Sequence, residues 1–157
     1  MPPTRFACDA SLEFLARRLR FLGYDVAPLG GARLEEAMEA ARRDGRTVLT
    51  RSARRPARFA DVPAVRVDPD PAAALREVAE RHEPAGAPFT RCPSCNVALE
   101  RRIPFEAQGE VPGRVLRSAS VLHYCPHCGK WYWNGTHTAR IRAWLEAALG
   151  RPLAGGG

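Results

Sequence analysis

Apolar residues recur at short intervals through the first 82 positions, and their spacing switches between continuous runs and helical periods. Phe6 to Cys8 is an unbroken apolar run ending at Asp9 and reads as a first strand. Leu12, Leu15, Ala16, Leu19 and Leu22 follow at helical spacing. Ser11 is placed to cap that helix, Arg17, Arg18 and Arg20 fall largely outside its apolar side, and Gly23 stops it. Tyr24 to Ala27 reads as a short second strand. Leu34 to Arg43 predicts a second helix with Leu34, Ala37, Met38 and Ala41 inward, closed by Asp44-Gly45, and Thr47 to Thr50 a third strand. Val65 and Val67 mark a fourth strand, and Pro71 to His82 a further helix. Alternation on this scale predicts an α/β unit over 1–83, with a mainly parallel sheet flanked by helices.

The pattern breaks at Glu83-Pro84-Ala85-Gly86-Ala87-Pro88, a linker by composition. Beyond it, short strand-like runs are punctuated by cysteine, proline and glycine. Ile141, Trp144, Leu145, Ala148 and Leu149 then give a helix over Ala139 to Leu149. A second, smaller module is expected over 89–150. Its signature is a pair of near-identical turns, Cys92-Pro93-Ser94-Cys95-Asn96 and Cys125-Pro126-His127-Cys128-Gly129. Each carries a residue tolerant of left-handed backbone after its second cysteine, as a knuckle with amides aimed at thiolate sulfur requires. Cys92, Cys95, Cys125 and Cys128 are therefore expected to hold one structural zinc, and a redox dithiol is the minor reading. Four sulfur ligands leave no open position, so this metal is not hydrolytic. Cys8, alone in an apolar run, is expected in the core, and His127 is expected to be an exposed turn residue and not a fifth ligand.

Charge adds a direction. The 157 residues carry 24 basic and 17 acidic side chains, a formal +7. Residues 89–157 hold 9 basic and 4 acidic groups, and a zinc with four thiolates lowers that +5 to +3. The excess suits a polyanion, although a solubilising surface has the same composition. Between residues 42 and 58 seven arginines meet one acid, Asp44. They surround the end of the third strand, the edge where parallel sheets bind ligands and to which the first strand delivers Asp9. Arginines that hold phosphate beside carboxylates that hold a divalent ion are the parts needed for phosphodiester hydrolysis. Asp9 needs a partner, and Glu36 is the first choice, followed by Glu35, Asp61 and Asp68. In the cysteine module, Trp131-Tyr132-Trp133 either pack over the metal or offer stacking faces to single-stranded nucleic acid. His137 either contacts phosphate or helps cap the last helix. No apolar run approaches the roughly 18 residues of a membrane span, and Met1 to Arg5 lack the apolar stretch of a signal peptide, so a soluble, cytoplasmic protein that binds no membrane is expected.

Taken together, Phe6-Ala7-Cys8-Asp9, Leu15-Ala16-Arg17-Arg18-Leu19-Arg20-Phe21-Leu22-Gly23-Tyr24-Asp25, Gly45-Arg46-Thr47-Val48-Leu49-Thr50-Arg51, the two knuckles and Trp133-Asn134-Gly135-Thr136-His137 closely resemble the Mut-seven carboxy-terminal ribonuclease domain family, over about residues 5–142. The resemblance implies a PIN-like fold with a zinc ribbon and a magnesium- or manganese-dependent ribonuclease. Asp9 and Glu36 match its acidic positions and would bind the catalytic ion. Arg51, Arg54 and Arg55 would position the RNA backbone, and the ribbon, with Lys130 and His137, would grip substrate. The family's aspartate after the threonine-arginine pair is replaced here by Ser52, and Arg33-Leu34 stand where an acid is usual at the start of the second helix. The rival readings are an RNA- or ribonucleoprotein-binding protein that no longer cuts, which Ser52 favours, and a ribbon-mediated protein adaptor.

Overall fold

The computed structural model describes residues 2–154. Three short runs rich in Val, Leu, Phe and Thr become the parallel strands β1 (Phe6–Cys8), β2 (Thr47–Thr50) and β3 (Ala64–Arg66), in the order β1-β2-β3. Phe6 pairs with Thr47 and Val48 with Ala64. Side chains alternate across the sheet. Phe6, Cys8 and Leu49 enter one core with helix α1 (Glu13–Phe21) and α3 (Pro71–Arg81), while Ala7 and Val48 enter the other with α2 (Leu34–Asp44), Phe59 and Val62. Both faces are covered, which is why β1 carries no polar residue. Burial pushes the Cys8 thiol up to about 12, as expected of a core cysteine.

The anticipated second strand is reduced to one parallel bridge between Val26 and Phe6. Arg20 holds this segment. Expected outside the apolar side of α1, it is 0 % exposed. Its guanidinium donates to the carbonyls of Val26 (2.9 Å), Ala27 (3.0 Å) and Pro93 (2.7 Å), with Glu13 at 3.3 Å. A planar five-donor group thus gathers carbonyls from residues 26, 27 and 93 onto one side chain and ties that segment to the first knuckle. The cap of α1 also differs. Asp9, not Ser11, leads into the helix, through a 3-10 turn (Ala10–Leu12) in which its carboxylate accepts from the Ser11 amide.

The second sheet is antiparallel, with β4 (Glu100–Arg102), β5 (Leu122–Tyr124) and β6 (Trp131–Tyr132) in that order. The excursion between β4 and β5 holds a short helix, α4 (Gly113–Ser118). Ala107, Val111, Val115 and Leu122 form its small core, with Trp131 and Trp133 packed against it. The last helix, α5 (Thr136–Leu149), begins three residues before the expected start and returns to the first unit, where Ile141, Leu145 and Ala148 join the core of α1 and α3.

Residues 83–90 are held in place. Gly23 closes α1 at φ +97°, and its carbonyl accepts from the Ala85 and Gly86 amides. A Cβ there would stand 2.1 Å from the Gly86 carbonyl oxygen, so only glycine admits this crossing. The first knuckle is tied down as well. Asn96 accepts from the Val26 amide (3.0 Å) and donates to Asp25 (2.6 Å), and Arg46 reaches the same carboxylate at 2.7 Å. Burial works to raise the pKa of Asp25, but the Arg46 and Asn96 hydrogen bonds and the nearby Arg46 and Arg91 charges hold it below its ordinary value. A depressed carboxyl stabilises the fold above its unfolded value, near 3.8, and loses that contribution as pH falls through the lower folded value. Asp25→Asn is therefore expected to depress the melting temperature at pH 7 and to matter progressively less as the pH is lowered below 3.8. Thermal unfolding of both proteins across that range checks this.

Candidate functional site

The carboxyl edge of the parallel sheet opens a shallow cleft of about 390 Å³ lined by Asp9, Ser11, Thr50, Arg51, Ser52 and Pro69. Each strand supplies a wall: Asp9 and Ser11 follow β1, Thr50 to Ser52 end β2, and Pro69 follows β3. Asp9 Oδ1 accepts from the Ser11 amide (2.9 Å) and hydroxyl (2.5 Å), which fixes the carboxylate at the mouth and leaves its other oxygen without a donor among the described residues. Ser52 is also shaped by local bonds. Its amide donates to Thr50 Oγ1, and its hydroxyl donates to the Arg54 carbonyl and accepts from the Arg54 amide. Thr50 and Pro69 were not singled out by sequence, and Ser11 only as a helix cap, yet the rule that pointed to Asp9, position at the carboxyl edge of a parallel sheet, applies to each.

The structure sorts the arginines. Arg42 pairs with Asp61 and lies over Phe59 at 4.9 Å, Arg43 with Asp44, and Arg46 with Asp25. Arg58 covers the other approach to Phe59. Arg55 turns away from the cleft to donate to the Ala60 and Val62 carbonyls, where it braces its own loop. The guanidiniums of Arg51 and Arg54 are exposed and have no bonded partner among the described residues, and Arg51 lines the cleft.

The acids divide in the same way. Glu36 stands in the first turn of α2, exposed, with its carboxylate accepting from Arg33 Nε (3.0 Å) and from the Arg33 amide (3.4 Å). These bonds, the side-chain one foremost, hold its pKa below the ordinary glutamate value. Its turn belongs to the same edge, because the Ala10 amide donates to Ala32 just before α2, but Glu36 does not line the cleft. Asp61 is engaged by Arg42. Asp68 and Asp70 flank the lining residue Pro69; Asp68 accepts from the Asp70 amide, and Asp70 caps α3 through the Ala73 amide.

The second centre is the cysteine cluster, whose four sulfurs lie within 4.8 Å of one another. Tetrahedral zinc with Zn–S near 2.3 Å requires sulfurs about 3.8 Å apart, and Cys92 and Cys128 are 3.9 Å apart. The two knuckles repeat one hydrogen-bond pattern. The Asn96 amide donates to the Cys92 carbonyl and Gly129 to Cys125, both at 2.9 Å, with Asn96 and Gly129 at φ +64° and +76°. The Cys95 and Cys128 amides point at the Cys92 and Cys125 sulfurs at 3.4 Å. Four convergent thiols with amides aimed at their sulfurs fit a thiophilic divalent ion such as zinc. Tyr132 places its hydroxyl 3.5 Å from Cys92 Sγ, and the exposed His127 brings Nδ1 within 3.3 Å of Cys95 Sγ. Lys130 and His137 are exposed, the first just past the second knuckle and the second in the opening turn of α5.

A parallel sheet with a carboxylate and arginines at its carboxyl edge, joined to an antiparallel module with four clustered cysteines, defines the class: an α/β protein with an appendage whose cysteines are positioned to hold a metal ion. The sequence matches the Mut7-C RNAse domain over residues 4–145, nearly the whole chain, and the protein belongs to that family. No match to a curated protein or to a solved structure was found. Among the described residues, no helix is long and apolar enough to cross a membrane.

Proposed function

We propose that the protein is a ribonuclease that hydrolyses RNA phosphodiesters with magnesium or manganese held at Asp9, and that its four cysteines hold a structural zinc. The carrying observation is the convergence of the Asp9 carboxylate with Thr50, Arg51 and Ser52 in one cleft. The donor set is hard oxygen throughout, the chemistry these ions prefer, and magnesium commonly takes only one or two protein carboxylates beside water and substrate phosphate. Asp9 would hold the ion through the oxygen that Ser11 leaves unbonded. Asp68 and Asp70, beside Pro69, are the further carboxylates nearest that wall in the chain, while Glu36 would first have to release Arg33. When bound, the ion supplies an acidified water and neutralises phosphate charge. Arg51 and Arg54, whose guanidiniums have no bonded partner among the described residues, position the RNA backbone. The Ser11 hydroxyl and amide keep the Asp9 carboxylate from rotating out of the mouth.

Ser52 favours one second reading, an RNA-binding protein that does not cut. It occupies the cleft position where the family usually carries an aspartate, and a hydroxyl brings no negative charge to a divalent ion. Zinc-loaded protein incubated with labelled single-stranded and structured RNA, with and without manganese, separates the two. Cleavage by the wild type, lost by at least ~10²-fold in Asp9→Asn and raised in Ser52→Asp, is the expected result, the magnitude being that of removing a principal electrostatic group from an active site. Cleavage untouched by Asp9→Asn sinks the proposal. Binding without cleavage that Ser52→Asp converts to cleavage establishes the second reading.

A further inference from the structure

A larger depression, of about 850 Å³, lies where the ribbon meets the body, and neither the cleft nor the cysteine cluster accounts for it. Its walls come from residues 87–93, the tip after α4, β5, the segment after β6, and α5. Among the described residues no aspartate or glutamate lines it, whereas Arg91, Arg101 and Arg142 do. Four aromatic rings share the walls: Phe21, Phe89, Tyr132 and Trp133. Arg101 is exposed on β4 and its guanidinium has no bonded partner among the described residues. Arg142 lies over the Phe89 ring at 4.7 Å, with Glu146 reached only at 4.0 Å from outside the lining.

Phe89 is held in an unfavourable backbone state. It sits at φ +62°, a region that bulky L-residues avoid, and the bond from its amide to the Phe21 carbonyl (2.7 Å) keeps it there. The consequence is an aromatic ring presented at the groove between Phe21, 5.7 Å away, and Arg142. Strain of this kind is typical of residues positioned for a ligand.

We propose that this groove binds single-stranded RNA, its bases against Trp133, Tyr132 and Phe89 and its phosphates at Arg101, Arg91 and Arg142. The inference rests on the ribonuclease reading for the identity of the ligand. Cations without acids exclude a basic partner, and flat faces interleaved with arginine match unstacked bases joined by phosphates, the combination that single strands use and paired bases cannot. Ser11 lines the cleft and Phe21 lines the groove ten residues further along the same helical segment, so the two sites stand at opposite ends of that segment, about 15 Å apart at 1.5 Å per residue.

The test is fluorescence anisotropy with a labelled single-stranded RNA 12-mer and zinc-loaded full chain carrying Asp9→Asn, so that binding is read without cleavage. Arg101→Gln, an exposed change that leaves the fold alone, is expected to weaken binding five- to tenfold and to lower the slope of log affinity against log salt by about one. Trp133→Ala is expected to weaken it at least tenfold, and a duplex of the same sequence to compete poorly. Unchanged affinity in Arg101→Gln, or competition by the duplex or by an acidic peptide as strong as that of the single strand, overturns the groove. The ribonuclease reading fails separately, by absence of manganese-dependent cleavage in the wild type, and in that event groove binding is still measured by the same titration.

Discussion

Chelation under reducing conditions is expected to release one zinc ion per chain and to unfold the ribbon. Structural zinc in small modules contributes ~10–16 kcal/mol of apparent binding free energy at neutral pH, which is also folding free energy. The ribbon has little to replace it, since its own core amounts to Ala107, Val111, Val115 and Leu122 with flanking tryptophans. The loss should spread. Asn96 and Pro93, both in the first knuckle, bond to the body through Val26, Asp25 and Arg20, so a freed knuckle strips partners from two buried groups and one half-buried carboxylate. Release followed with a chromogenic zinc indicator, alongside tryptophan fluorescence and thermal unfolding, checks both parts. Cobalt substitution should give the charge-transfer absorption of a four-thiolate site. A chain that keeps its melting temperature after complete metal removal contradicts this account.

Arg20→Met is expected to destabilise the protein by about 3–5 kcal/mol, because three buried carbonyls lose their donor at roughly 1–3 kcal/mol each, while the partly exposed Glu13 is not left as a buried unpaired charge. The methionine fills much of the volume but donates nothing, and the carbonyls of Val26, Ala27 and Pro93 are left without their donors in a dry site. Arg20→Lys should recover only part of the loss, because an ammonium on a flexible stem cannot reproduce the planar fork that reaches three carbonyls. Urea unfolding of the three proteins gives the comparison. A loss below about 1 kcal/mol for Arg20→Met would mean that water satisfies those carbonyls instead.

What could be read ahead of the structure followed from how local each determinant is. β2 runs Thr47–Thr50 as its apolar run indicated, and the knuckles were legible because metal geometry imposes a spacing and a left-handed residue that the sequence must display. Arg20 was misjudged because helical periodicity ranks residues by polarity. It falls seven residues after Glu13, and nothing in that period announces that carbonyls from positions 26, 27 and 93 converge on it. The clasp of Asn96 on Asp25 joins residues 71 apart and left no local trace. At the cleft, Asp9 was visible from its place after β1, whereas the engagement of Glu36 by Arg33, and of Arg55 by the carbonyls of its own loop, depends on rotamers that composition does not encode. The groove was invisible for a related reason: its rings and cations were each apparent, but only the docking of ribbon on body brings them together.

The return of α5 has a consequence for how the protein is made. Ile141, Leu145 and Ala148 cover apolar surface offered by α1 and α3, yet α3 ends at Arg81, so about 60 residues separate the surface from its cover in the order of synthesis. At ~5–20 residues per second, a nascent chain carries that exposed face for several seconds while the cysteines are still emerging from the ribosome. Cells short of zinc, or translating slowly through 84–140, should therefore accumulate aggregates of incomplete chains before any shortage of mature protein is felt.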